Sequence, residues 1–112
     1  MASIICRVDA LRTLPFGSIT SSYLALGTSF GHIMRIIRIT NNTDGDMLFS
    51  FDGSTNNIFV PAGGFVLYDA TSNREEGGEY FIFEVGTQIF VKYSTAPTSG
   101  DVWLECLYGK GE

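Results

Sequence analysis

Residues 50–69 read SFDGSTNNIFVPAGGFVLYD, two turn signals and three short apolar runs within twenty positions. DGSTNN and PAGG supply Gly, Pro, Asn and Asp, the residues that tolerate the backbone angles of tight corners. Each apolar run is too short for a helix, and none repeats with a helical period. The stretch therefore predicts strand, corner, strand, corner, strand. Gly53, Gly63 and Gly64 are the positions expected at positive φ.

The same rhythm extends in both directions. HIMRIIRIT (32–40) is rich in β-branched residues, with Ile33 and Ile37 on one face and Met34 and Ile36 on the other. DMLFSFDG (46–53) puts Met47, Phe49 and Phe51 on one face. EYFIFEV (79–85), TQIFVKY (87–93) and DVWLECLYG (101–109) alternate in the same way. NNTDGD, NREEGG and APTSGD punctuate them. Short strands at close spacing, with no helical crossovers, predict an all-β fold, an antiparallel β-sandwich or jelly roll. At least six antiparallel strands are expected between residues 33 and 108, and no helix longer than two turns. The first 31 residues are less patterned. They divide the chain into an N-terminal arm or first strand (1–20), an extended segment, and a β-sandwich domain (21–112).

Composition narrows the function classes. The 112 residues are 45% apolar but only 17% charged, below the roughly 25% of ordinary soluble domains. A net charge of −5 repels phosphate backbones, so no nucleic-acid partner is expected. No run of about 18 apolar residues exists to span a membrane. The N-terminal residues lack the order of a signal peptide, which predicts synthesis in a cytoplasm. There, Cys6 and Cys106 are expected as free thiols. No Cys/His cluster has zinc spacing.

Reactive constellations are sparse. His32 has neither an activating neighbour nor a GxSxG motif to serve. Asp44, Asp46 and Asp52, and Glu75, Glu76 and Glu79, fall among turn residues rather than in a cleft that would raise one carboxyl. TDGDMLFSFDG departs from an EF-hand loop by placing Leu and Phe where acidic ligands belong. GSTNN and PAGG are not phosphate-cradling loops. No enzyme, metal or cofactor is expected.

The informative signal is the second face of the strands. If Phe81, Phe83, Ile89, Val91, Leu104 and Cys106 point inward, then Tyr80, Ile82, Phe90, Trp103 and Leu107 point outward. Such a surface predicts association. The N-terminal segment adds Ile4, Ile5, Val8, Leu11, Leu14 and Phe16. The partner-binding candidates are Ile4, Leu11, Leu14, Phe16, Met34, Ile36, Phe90 and Trp103. Arg7, Arg12, Arg35 and Arg38 are available to pair with a partner's carboxylates. Self-association as a dimer or trimer is expected.

From about Leu11 onward, RIIRITNNTDGDMLFSFDG, FVPAGGFVLYDATSN and GTQIFVKYSTAPTSGDVWLECLYGKG resemble small virion proteins of tailed bacteriophages. The likeness is to staple-like capsid decoration proteins of short-tailed phages. The resemblance implies a jelly-roll sandwich on the outside of an assembled head. There it would bind the major capsid protein and clamp neighbouring subunits, without catalysis or cofactor. An alternative is a tail or fibre module, lectin-like, in which Trp103 and Tyr93 stack on a host glycan.

Overall fold

The computed structural model describes residues 6–70 and 83–109, and leaves aside the side chain of Cys6. In chain order the strands are β1 (Cys6–Val8), β2 (Arg12–Pro15), β3 (Leu24–Ala25), β4 (Met34–Thr43), β5 (Met47–Ser50), β6 (Ile58–Val60), β7 (Phe65–Asp69), β8 (Phe90–Tyr93) and β9 (Gly100–Gly109). Among the described residues the one helical element is a 3-10 turn, Phe16–Ser18.

The pairing follows from a ribbon that doubles back on itself. β5 and β6 form the closing hairpin, β4 pairs with β7, β3 with β8, and β2 with β9, all antiparallel. Rolling that ribbon brings β9 against β4 and β8 against β5. Sheet I then runs β1/β2–β9–β4–β7, and sheet II runs β3–β8–β5–β6. Counting the collinear β1 and β2 as one strand, this eight-strand order is the jelly roll. Residues 6–15 lie along β9 and slip by one position between Val8 and Arg12, where Asp9 still donates its N–H to the Cys106 carbonyl.

The core sits between the sheets. Ile37, Ile39, Val102, Leu104 and Cys106 come from sheet I, and Met47, Phe49, Val60 and Val91 from sheet II. Phe83 and Ile89 join them on the expected inward side, as Val91, Leu104 and Cys106 do; Phe81, Tyr80 and Ile82 lie outside the described residues. Strict alternation mislocates Met34. Met34 is fully buried rather than outward with Ile36. A β-bulge between Met34 and Ile36 adds a residue, so Met34 and Ile37 point to the same side. The hydrophobic pattern alone does not reveal the extra residue.

Polar side chains set the corners. Buried Asn41 donates to the Gly45 carbonyl at 2.8 Å and the Val60 carbonyl at 3.0 Å. Its oxygen accepts from the Thr43 N–H and hydroxyl. One amide thus ties β4 to the β4–β5 turn and to β6, with no buried polar valence left open. β5 ends at Ser50, earlier than the apolar pattern through Phe51 predicts. The Ser50 hydroxyl donates to Asp52 and accepts from the N–H groups of Asp52 and Gly53, which turns the chain. At the next corner Gly63 takes φ 76°, and Gly64 donates to the Pro61 carbonyl. Gly64 itself is not at positive φ; a Cβ there would sit 3.1 Å from the Pro61 oxygen, so close approach is what favours glycine.

Candidate interaction surface

The outer face of sheet I is built from residues alternating with the core set. Antiparallel register places them in rows across the strands. Thr13, Trp103, Thr40 and Phe65 form one row. Glu105, Arg38 and Leu67 form the next, and Val8, Leu107, Ile36 and Asp69 the one beyond. Val8, Phe65 and Leu67 are among the most exposed large apolar side chains, at 75, 61 and 55%. At the centre Arg38 Nε lies 3.2 Å from Glu105 Oε1, and its guanidinium lies 5.3 Å from the Phe65 ring centroid. Aromatic and aliphatic side chains share the face with Thr13, Thr40 and Asp69, and the Arg38–Glu105 ion pair lies at its centre.

Sheet II also exposes apolar surface. Ile58 and Val60 point inward, so Phe59 between them points out and is 53% exposed. Leu48 and Lys92 are its neighbours along the row. Phe90 is half-buried on the same outer face, its ring 3.5 Å from where a Cβ at Gly53 would lie. The flank between β6 and β7 opens into a cleft of about 240 Å³ lined by Phe51, Asn57, Ile58, Tyr68 and Phe83.

The partner-binding candidates therefore separate. Ile36 and Trp103 share the outer face of sheet I. Leu11 is exposed at the slip between β1 and β2, at the edge of that sheet. Phe16 is exposed on the 3-10 turn, and Phe90 is on the opposite side of the sandwich. Leu14 pairs with Val102 and leans inward against the core. Met34 is in the core, and Ile4 lies outside the described residues. Phe65 and Leu67 were not among the candidates. FVLYD is apolar at both parities, so alternation does not mark which of its residues face out.

Arg12 is a correction of another kind. It is 7% exposed and turned inward, not toward a partner. Its Nε donates to the Thr28 carbonyl at 2.8 Å, Nη1 to Asp9 Oδ2 at 2.9 Å, and Nη2 to the Ser29 carbonyl at 3.3 Å. Its guanidinium carbon lies 5.2 Å from the Phe30 ring centroid. One residue thereby fastens the first strand to the 27–30 loop. Gly27 is required beneath it, since a Cβ there would meet Arg12 Cγ at 2.7 Å.

Of the groups weighed for chemistry, His32, Asp44 and Asp52 have structural partners, and Glu75, Glu76 and Glu79 lie outside the described residues. His32 stacks on Tyr108, centroids 3.8 Å apart. Cys106 is a free, buried thiol; burial pushes it up to about 11, against the pull of the nearby Arg12. Asp52 accepts from the Thr55 and Ser54 N–H groups and from the Thr55 and Ser50 hydroxyls, which holds it far below the ordinary carboxylate range. The Thr98 hydroxyl and N–H do the same, more weakly, for Asp44. Among the described residues no three His, Cys, Asp or Glu side chains are grouped to hold a metal ion. Tyr93 packs on the core from sheet II, whereas Trp103 faces out from sheet I, so the two do not form a shared sugar platform.

No family model matches the chain, and no curated protein matches it. A solved chain described under "Bacillus endospore appendages form a novel family of disulfide-linked pili" superposes with a TM-score of 0.51 at 10% identity, covering 96% of this chain and 91% of that one. At that identity the likeness concerns the fold.

Proposed function

We propose that the protein is a non-enzymatic structural subunit that sits on the outside of an assembled phage head and clamps neighbouring coat subunits. The observation that carries this reading is the distribution of exposed apolar side chains. Phe65, Leu67 and Val8 lie on the outside of sheet I, and Phe59 on the outside of sheet II. A clamp needs two separate contact surfaces, and a jelly roll whose two outer faces both carry exposed apolar groups supplies them. Repeated around a shell, modest contacts sum through avidity. The sequence resemblance to head-stabilising proteins supports the choice of a phage head as the assembly. The structural neighbour, described among disulfide-linked pili, supports a structural subunit more broadly.

The test is to mix the purified protein with undecorated heads and sediment them. Saturable co-sedimentation in proportion to the coat subunits, with heads that withstand higher temperature, is the expected result. Heads that remain bare at saturating protein would overturn the proposal.

A further inference from the structure

We propose that two copies of this chain associate face to face through the outer surface of sheet I, about a two-fold axis running along the strands between β4 and β9. The inference goes beyond head binding and does not depend on it; with sheet I shared between the two copies, the pair keeps two sheet II faces, each carrying Phe59, for coat subunits.

A two-fold contact uses the same patch on both copies, so the patch must be its own complement. Few surfaces meet that condition; this one does, row by row. Register pairs Ile36 with Leu107, Arg38 with Glu105, and Thr40 with Trp103. Rotation about the stated axis lays β4 of one copy over β9 of the other. Ile36 then covers the partner's Leu107, Arg38 covers the partner's Glu105, and Thr40 covers the partner's Trp103. Each ion pair already formed within a chain, 3.2 Å apart, becomes half of a four-membered square of alternating charge.

The flanks agree with the centre. β7 carries Phe65 and Leu67, the most exposed apolar pair on this face, and comes to lie over the partner's β1/β2 edge, where Val8 and Thr13 point out. No acidic side chain is laid over another: Asp101 falls opposite the partner's Asn42, and Asp69 opposite the partner's Val8. Face-to-face sheets pack with strands within about 30° of each other, which keeps the central rows matched even as the outer ones diverge. The net charge of −5 opposes any self-association. That long-range term is screened beyond about 8 Å at physiological ionic strength, whereas contacts in the centre of the face are not. Moderate salt therefore strengthens the dimer.

Sedimentation equilibrium of the full chain at physiological salt, over a wide concentration range, tests the proposal. A reversible monomer–dimer equilibrium is expected. Arg38→Glu and Glu105→Arg each set like charges against each other twice in the interface, and each weakens association roughly 100-fold. The double exchange restores it to within roughly tenfold of the parent. An ion pair that mattered only within the chain would move the melting midpoint and leave the association constant alone. Phe59→Ser, on the other sheet, leaves the dimer unchanged. If a charge variant does not fold, Leu107→Lys provides the same disruption without touching the ion pair. A chain that stays monomeric at its highest soluble concentration, a trimer, or a dimer that Phe59→Ser dissolves and Arg38→Glu does not, would each overturn the proposal. Bare heads in the co-sedimentation assay, with the dimer intact, would count against head binding alone.

Discussion

Replacing Arg12 with Met tests the claim that one buried guanidinium fastens the N-terminal strand to the sandwich. Met keeps most of the aliphatic stem, so the change isolates the charge and its hydrogen bonds. Removing one partner of a buried ion pair costs about 3–5 kcal/mol when the other is left uncompensated. Here the cost is smaller. Thr28 and Ser29 are exposed and Asp9 is half-buried, so water reaches the acceptors that Arg12 abandons. The contact with the Phe30 ring adds about 0.5–1 kcal/mol to the loss. The balance is about 2–3 kcal/mol. At about 4 °C per kcal/mol for a chain of this size, the melting midpoint should fall by about 8–12 °C. Urea denaturation followed by Trp103 fluorescence gives the free energy directly. Hydrogen exchange gives its location: β2 amides should exchange faster while those at the centre of β4 hold. Arg12→Lys should recover only part of the loss, because an ammonium cannot reach Asp9, Thr28 and Ser29 together. A free-energy change under about 0.5 kcal/mol would refute the latch. So would full additivity of Arg12→Met with Asp9→Asn, since contacting groups must couple.

Leu104→Ala empties a fully buried site facing the other sheet and should cost about 2–5 kcal/mol in urea denaturation. Gly100→Ala should destabilise severely and lower soluble yield, because Gly100 sits at φ 93° and an added methyl would overlap the Asn42 carbonyl. Asp52 and Asp44 are depressed by their hydrogen bonds, so the stability they contribute is present above the unfolded carboxylate value, about 3.9, and is lost as pH falls below it. The gap in urea midpoint between parent and Asp52→Asn should therefore narrow on acidification from neutral pH, and a gap that widens would show the wrong sign. Cys106 is raised to about 11, so the folded state holds its proton where the unfolded thiol, near 8.5, has lost it, and stability should decline as pH rises between those values. In a Cys6→Ser background, alkylation of Cys106 at mildly alkaline pH should require unfolding; rapid labelling of the native protein would show the thiol to be accessible.

Much of the fold is written in short-range pattern. β4, β5, β6, β7 and β9 fall where alternation and turn residues predict them, because each strand buries one face and its corners need Gly, Asn, Asp or Pro. The misses have specific causes. The bulge at Met34 shifts parity by one, and alternation has no mark for an inserted residue. Ser50 stops β5 through its hydroxyl, a local competition that an apolar count overlooks. Arg12 shares inward parity with Leu14, but a lone basic residue in DALRTL looks like a solvated one until the 27–30 loop is placed beneath it. Its legible trace is the i, i+3 spacing to Asp9. Of the surface, Trp103 and Ile36 were readable from their outward parity. Phe65 and Leu67 were not, because FVLYD is apolar on both faces and only the topology shows that β7 is an edge. The N-terminal segment also changes meaning. Since β2 contributes to sheet I, a truncation through Phe16 removes a strand along with any contact residues, so point changes at Leu11 and Phe16 are the cleaner probes.

Cryo-electron microscopy of heads mixed with the purified protein tests the central claim most directly. The account predicts jelly-roll density at symmetry-related positions on the outer surface, in pairs joined through sheet I, each pair touching neighbouring coat subunits through its two exposed sheet II faces. Heads that show no added density at saturating protein would contradict it.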